Sequence, residues 1–546
     1  MTLSIIAVVA VTSAALGIGT YGVKFARTTS DLFVASRAVS PWWNAAAISG
    51  EYLSAASFLG VSGLMLKFGA SALWLPVGFT AGYLTLLLFV AAPLRRFGSY
   101  TIPDFAEARL PAPYMRLLAA GIVLLISGCY LVPQLKGAGV TLRAITDAPY
   151  WVGVVIVSLI VALNVSLGGM RGVTYVQAFQ YWVKVFAIAL PALLLLIYLG
   201  GLPARAALFG EELPTTGPNG MVVELDKPTT LTFPDTGETR TVPAGELRIP
   251  PNTSIPVADG ISAQTGDEWS RPVSESGRGS PILIYSLLLA TFLGTMGLPH
   301  ILVRFYTNPD GSAARRTTVR VLGLLGVFYL FPAVYGLLGR AFTPELYVTG
   351  DTDSVVLRVP AAAWPGPMGD ILAAIVAAGA FAAFMSTASG LLVSIAGTVS
   401  HDVLPGRARG RRMRFRIVSA VGMLPPALLA LATPNVDISV LVGWAFALAA
   451  STFCPLLLLG VWWPRLTAPA AAAGMLAGAI VATGMITAGL LGSVSEDTAA
   501  GAILTQPAAV SVPIAFATMI LISLRQAPRN VSAVMAALHV PEPVSP

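Results

Sequence analysis

Glu51 and Lys184 are the residues whose chemistry stands out, because each is an ionisable side chain inside a long apolar run. Charge at that depth in hydrocarbon is costly, and where it occurs it pairs with another group or serves a transport path. Lys184 lies about midway along its run, too deep for its stem to carry the ammonium to either surface. It could pair with Glu51, hold a carboxylate substrate, or gain and lose a proton. Ser386 and Thr387 are adjacent hydroxyls in another run. With carbonyls freed from a broken helix they would offer Na⁺ hard oxygen ligands, although such hydroxyls also bond the carbonyl one turn back. Arg304 and His300 fall nearer the cytoplasmic end of their run and read as parts of an inner gate or surface.

Two stretches would interrupt a helix. Ile48-Ser49-Gly50-Glu51-Tyr52-Leu53-Ser54-Ala55-Ala56 carries a glycine, a carboxylate and small polar residues. Phe292-Leu293-Gly294-Thr295-Met296-Gly297-Leu298-Pro299-His300 carries two glycines and a proline. In lipid, every backbone N–H and C=O needs a partner, so an interrupted helix is tolerated where it lines a cavity or binds an ion. Glycines at helix crossings are the plainer explanation for one such stretch. A matched pair, in corresponding members of two helix sets, is the mark of inverted-repeat transporters that bind near the midplane. Helix ends exposed at the breaks offer N–H groups to an anion and C=O groups to a cation, which suits a carboxylate and Na⁺.

The elements that position these residues are membrane helices. Of 546 residues, 55% are hydrophobic and only 11% charged, far from the quarter or so of charged residues in a water-facing chain. The mean hydropathy is +0.77. A window of roughly 20 residues gives about thirteen spans. Among them are the second (Trp42 to Phe68), sixth (Val173 to Leu199), seventh (Pro281 to Phe305) and ninth (Met368 to Val399). The net charge of +7 is spread over short gaps rather than one basic face, so it argues against nucleic acid and for topology. Lys24, Arg27 and Arg37, then Arg95, Arg96, Arg109 and Arg116, then Arg315, Arg316 and Arg320, and finally Arg407 through Arg416 mark cytoplasmic gaps. The N-terminus is then external and the C-terminus cytoplasmic, in a multi-pass protein of the plasma (inner) membrane.

Cys129 and Cys454 lie singly in apolar runs, and His300, His401 and His539 have no metal-binding spacing, so neither a disulfide framework nor a His-based metal site is expected. No nucleophile, base and orienter converge in a motif, so an enzyme is not expected either. The stretch 200–279 reads as an extracellular loop with a small β-hairpin turning at Asp235-Thr236-Gly237.

Four motifs, in order, resemble the sodium/solute symporter family, most closely its cation/acetate branch. They are Gly50-Glu51-Tyr52-Leu53-Ser54-Ala55-Ala56-Ser57-Phe58-Leu59-Gly60, Leu167-Gly168-Gly169-Met170, Gly297-Leu298-Pro299-His300-Ile301-Leu302-Val303-Arg304-Phe305 and Val399-Ser400-His401-Asp402. The match runs from about Phe33 to about Pro464. The resemblance implies an all-α membrane protein with a LeuT-type 5+5 inverted repeat and two broken helices. It divides the chain into a first helix and loop (1–41), a first repeat of spans 2–6 (42–199), the external loop (200–279), a second repeat of spans 7–11 (280–463), two accessory helices (464–526) and a cytoplasmic tail (527–546). By motif, it implies a Na⁺ site of the Gly50, Leu53 and Ala383 carbonyls with the Ser386 and Thr387 hydroxyls. Many members carry an Asp where this chain has Gln177, which makes H⁺ an alternative coupling ion, with Lys184 as the proton carrier.

The function so implied is alternating-access import of a short-chain monocarboxylate, of acetate, propionate or pyruvate type, coupled to Na⁺. The anion would lie by Tyr52, Ser54 and Ala56 of one break and Gly294, Thr295 and Gly297 of the other, with Lys184 supplying charge. Partners would be the solute and the lipid bilayer, with no nucleic acid and no obligate protein partner. Alternatives are a neutral solute on the same fold, and more distantly a channel or a transporter-like sensor.

Overall fold

A computed structural model describes residues 2–22, 40–99, 101–202, 210–273, 280–404, 408–434, 436–492, 498–527 and 531–540. The basic residues Lys24, Arg27, Arg37 and Arg407, used above to orient the chain, lie outside the described residues.

Proline at the first helical position starts one helix after another, because its missing N–H is an orphan there in any case. Helix α1 spans Thr2–Gly22. Helix α2, Pro41–Tyr52, begins at such a proline and stops at Leu53, whose ψ of 83° is not helical. A π-turn, Ala56–Gly60, resumes the direction and leads into α3, Val61–Phe68. The chain breaks again at Gly69, φ 64°, where a Cβ would lie 1.7 Å from the Trp269 carbonyl oxygen. Helix α4 follows at Trp74–Phe89, and then α5 at Met115–Thr146. Helix α6, Tyr150–Tyr198, is one hydrogen-bonded run with a kink at Gly169 (φ 55°, ψ −168°). That conformation explains the second glycine of Leu167-Gly168-Gly169-Met170, since an L side chain resists it.

The second half repeats the device. Helix α7, Pro281–Gly297, ends at extended Leu298, and Pro299 starts α8, Pro299–Phe305, bent 44° from it. Then come α9 (Gly311–Tyr329), α10 (Pro332–Phe342) and α11 (Pro367–Thr398). They are followed by α12 (Ala408–Val421), α13 (Leu424–Ala432), α14 (Ile438–Ser451) and α15 (Phe453–Trp462). The last two long helices are α16 (Ala468–Leu491) and α17 (Ala508–Leu524).

Burial separates core from periphery. In the most apolar stretch of the runs containing α11 and α14, 83% and 89% of residues are buried inside the protein, against 22% for α1 and 28% for α16, so α1 and α16 lie at the periphery. In the core, α6 packs on α11 and α2, while α7 packs on α14 and α4.

Among the described residues, ten helices are long and apolar enough to cross a membrane, or twelve if each bent pair is one span. The expected thirteen differs because the broken second span is divided. Its first half, α2, has only 12 residues, and its second half is continuous with the third span in Ala56–Phe89.

Between α6 and α7 the polar loop forms strands β1 (Met221–Leu225), β2 (Thr229–Phe233), β3 (Glu238–Val242), β4 (Gly245–Ile249) and β5 (Val257–Ala258). β2 pairs antiparallel with β3 and β5, and β1 with β4. The β2–β3 turn closes at Gly237, φ 69°. This cap is anchored to α3: Trp269 Nε1 donates to the Leu66 carbonyl at 3.0 Å, and the Tyr347 hydroxyl donates to the same oxygen at 2.8 Å.

Candidate ion and solute site

Stopping α2 at Leu53 removes the N–H partners that the carbonyls of the last turn would find four residues on. Buried carbonyls in hydrocarbon must be satisfied otherwise, and side chains from α6 and α11 do so. Gly50 O accepts from Ser386 Oγ at 2.6 Å and from Lys184 Nζ. Glu51 O accepts from Thr387 Oγ1 at 2.5 Å, and Leu53 O accepts from Lys184 Nζ at 2.7 Å. Lys184 Nζ also donates to Ser386 Oγ. Ser386 and Thr387 both reach back to the Ala383 carbonyl, at 3.0 and 3.3 Å. The five residues expected around Na⁺ therefore do converge, and Lys184 joins them. The Thr387 hydroxyl is turned onto the Glu51 carbonyl.

Glu51 does not pair with Lys184. Its carboxylate accepts from Arg304 Nε at 2.6 Å, with both side chains 1% exposed. Arg304, read from sequence as an inner-gate or surface group, is thus a core residue. The same guanidinium donates to Thr174 Oγ1 at 2.6 Å and to Gln177 Oε1. Gln177 Nε2 in turn donates to the Ser386 carbonyl at 2.8 Å. The amide at the family's Asp position thereby ties the ion pair to the hydroxyl helix. Gly390 makes room for the carboxylate: a Cβ there would lie 1.7 Å from Glu51 Oε1.

The two breaks meet at Tyr52 and Thr295, whose hydroxyls lie 2.9 Å apart. Around Tyr52 stand the rings of Tyr83 (4.6 Å between centroids), Phe79 (5.8 Å) and Phe446 (6.2 Å). Tyr130 lies 5.6 Å from Phe446 and 5.3 Å from His300, and Ser54 faces its phenol. The backbone of the first break is held by Gln134, whose Oε1 accepts from Ala55 N at 3.0 Å. His300, with both ring nitrogens, and the Tyr83 hydroxyl are buried without hydrogen-bond partners among the described residues. Buried polar atoms seldom stay unpaired, so this aromatic cluster is a candidate contact for a small polar solute. A small cleft of about 20 Å³, lined by Pro299, Val303, Thr101, Met170, Ser394 and Thr398, opens beside α8.

Gly294 and Gly297, in the last turn of α7, are close-approach contacts with α14: Cβ atoms on them would stand 2.4 Å from the Phe446 and Ala449 carbonyl oxygens. Ala56 is buried in the π-turn. Tyr83, Tyr130, Gln134 and Phe446 do not stand out in the sequence, since none is a charged residue or lies in one of the two interrupted stretches.

A core of helices broken at matched points, with side chains completing the broken turns, defines a secondary transporter. Residues 32–478 match the sodium:solute symporter family, and the chain belongs to it. An uncharacterized symporter, YwcA, of Bacillus subtilis (strain 168) is 31% identical over 514 residues, which are 91% of this chain and 89% of that protein. A Na⁺-coupled sialic acid symporter in a substrate-bound outward-open state superposes with a TM-score of 0.68 at 16% identity, over 96% of this chain and 98% of that one. The nucleobase-cation-symport-1 transporter MHP1, closed with bromovinylhydantoin bound, gives 0.50 at 11% identity, over 94% and 99%. The fold is thus the LeuT-type symporter fold. The chain is a multi-pass membrane symporter with Na⁺ as its coupling ion, and not an enzyme.

Proposed function

We propose that the chain imports a short-chain monocarboxylate with Na⁺. The observation that carries this reading is the charge inventory beside this cluster. Glu51 is matched by Arg304, so a proton on Lys184 is surplus positive charge. Such a core attracts an anion and repels a cation, the more so because a low-dielectric site screens little. The rings packed around Tyr52 give apolar surroundings suited to a short hydrocarbon chain, and the motif resemblance points to the acetate branch.

In this reading Na⁺ binds at the Gly50, Leu53 and Ala383 carbonyls with the Ser386 and Thr387 hydroxyls. The acid lies beside Tyr52, Ser54 and Thr295, with His300 and Tyr83 as its polar contacts. The N-terminus faces outside and the C-terminus the cytoplasm. Counterflow of ¹⁴C-acetate in proteoliposomes tests the solute class. Excess propionate or pyruvate competes and proline does not; competition by proline alone would point to a neutral solute instead.

A further inference from the structure

We infer that the Lys184 ammonium is a tethered cation that shares one cage with Na⁺, so that the two are alternative occupants of the same oxygens. Lys184 rises from α6 and places Nζ against Gly50 O, Leu53 O and Ser386 Oγ, with Leu53 O at 2.7 Å. An ammonium has three N–H donors, and these three acceptors use them all. They are also three of the five groups the motif resemblance gives to Na⁺. A Na⁺ ion among them would stand at contact distance from a second full positive charge, so the ion enters as Nζ leaves.

The charged groups around Lys184 agree with this. Glu51 of α2, the nearby acid on the broken helix, is already paired with Arg304 of α8. The phenols of Tyr181 and of Tyr335 on α10 donate to the Leu324 and Ile188 carbonyls and not to Nζ. The ammonium is held by the cage itself. A symporter must also pass between its two states without ion or solute, and the bare carbonyls of a broken turn would then be unpaired in a dry core. A lysine that re-enters the cage supplies their donors during that return.

The inference rests on Na⁺ coupling, but not on which solute is carried. It is tested by equilibrium ²²Na⁺ binding to the purified full-length protein with no solute present. Lys184→Met is expected to bind ²²Na⁺ at least tenfold more tightly than wild type, and adding Ser386→Ala to that variant removes the gain. Lys184→Gln, which keeps a donor for the carbonyls, is used if Lys184→Met is not monodisperse, with the same expectation. Unchanged, weaker or absent ²²Na⁺ binding in the folded Lys184 variant overturns the inference. Failure of acetate to compete in counterflow would overturn only the solute assignment.

Discussion

Glu51 and Arg304, 2.6 Å apart and almost wholly buried, are worth more as a pair than their attraction suggests, because each leaves an uncompensated charge if the other is lost. Removing one partner of a buried pair costs about 3–5 kcal/mol. Arg304→Met should therefore lower the melting temperature in detergent sharply, while Arg304→Met/Glu51→Gln recovers part of the loss. A double variant no more stable than the single one would mean that Arg304 acts through Thr174 and Gln177 instead. Gly390→Ala should resemble Arg304→Met, since the new methyl would meet Glu51 Oε1. Both intramembrane charges are legible in sequence as residues out of place. Their partners are not, because Arg304 lies 253 positions from Glu51. Counting along a straight span also misjudges the depth of Arg304, since the chain bends 44° at Leu298.

At the scale of elements, the breaks are readable because proline and glycine are needed there by backbone geometry: Pro299 starts one half-helix where Leu298 ends the other. What is not readable is which glycines break a helix and which bring two together. Gly294 and Gly297 do the second, and only the position of α14 reveals it. Tyr52→Phe removes the hydroxyl that links the breaks through Thr295, and should slow solute counterflow several-fold while leaving the melting temperature within a few degrees.

The ends of α3 and α14 are tied by charge. Lys67 at the end of α3 pairs with Asp437, the N-cap of α14, at 3.1 Å, and Asp353 accepts from Ile438 N, also at 3.1 Å. Burial pushes the Asp353 carboxyl up to about 6, against the opposing pull of Lys136 and with help from Asp437. Since the folded protein holds this proton more tightly than the unfolded chain, stability contributed by protonated Asp353 is present at low pH and is lost as pH rises from about 4 to about 6. Asp353→Asn should remove that slope, read as the difference between variant and wild-type melting temperatures at either end of the window. An unchanged pH profile would mean that Asp353 is solvated.

For the whole molecule, bulk apolarity and interrupted spans lead to the symporter fold, whereas the number of spans depends on how a broken helix is divided. Orientation is open to a direct check. With Cys129 and Cys454 replaced by alanine, Thr230→Cys in β2 should react with a membrane-impermeant maleimide on intact cells, and Ser312→Cys at the start of α9 should react only after permeabilisation. The reverse pattern would invert the proposed topology.

The central claim is that Na⁺ bound at the first broken helix drives uptake of a small anion. Proteoliposomes with an inward Na⁺ gradient at fixed pH should accumulate ¹⁴C-acetate faster than those without one, and Ser386→Ala/Thr387→Ala should lose that acceleration. Acceleration that survives in the folded double variant, or acetate uptake indifferent to Na⁺ in the wild type, would contradict it.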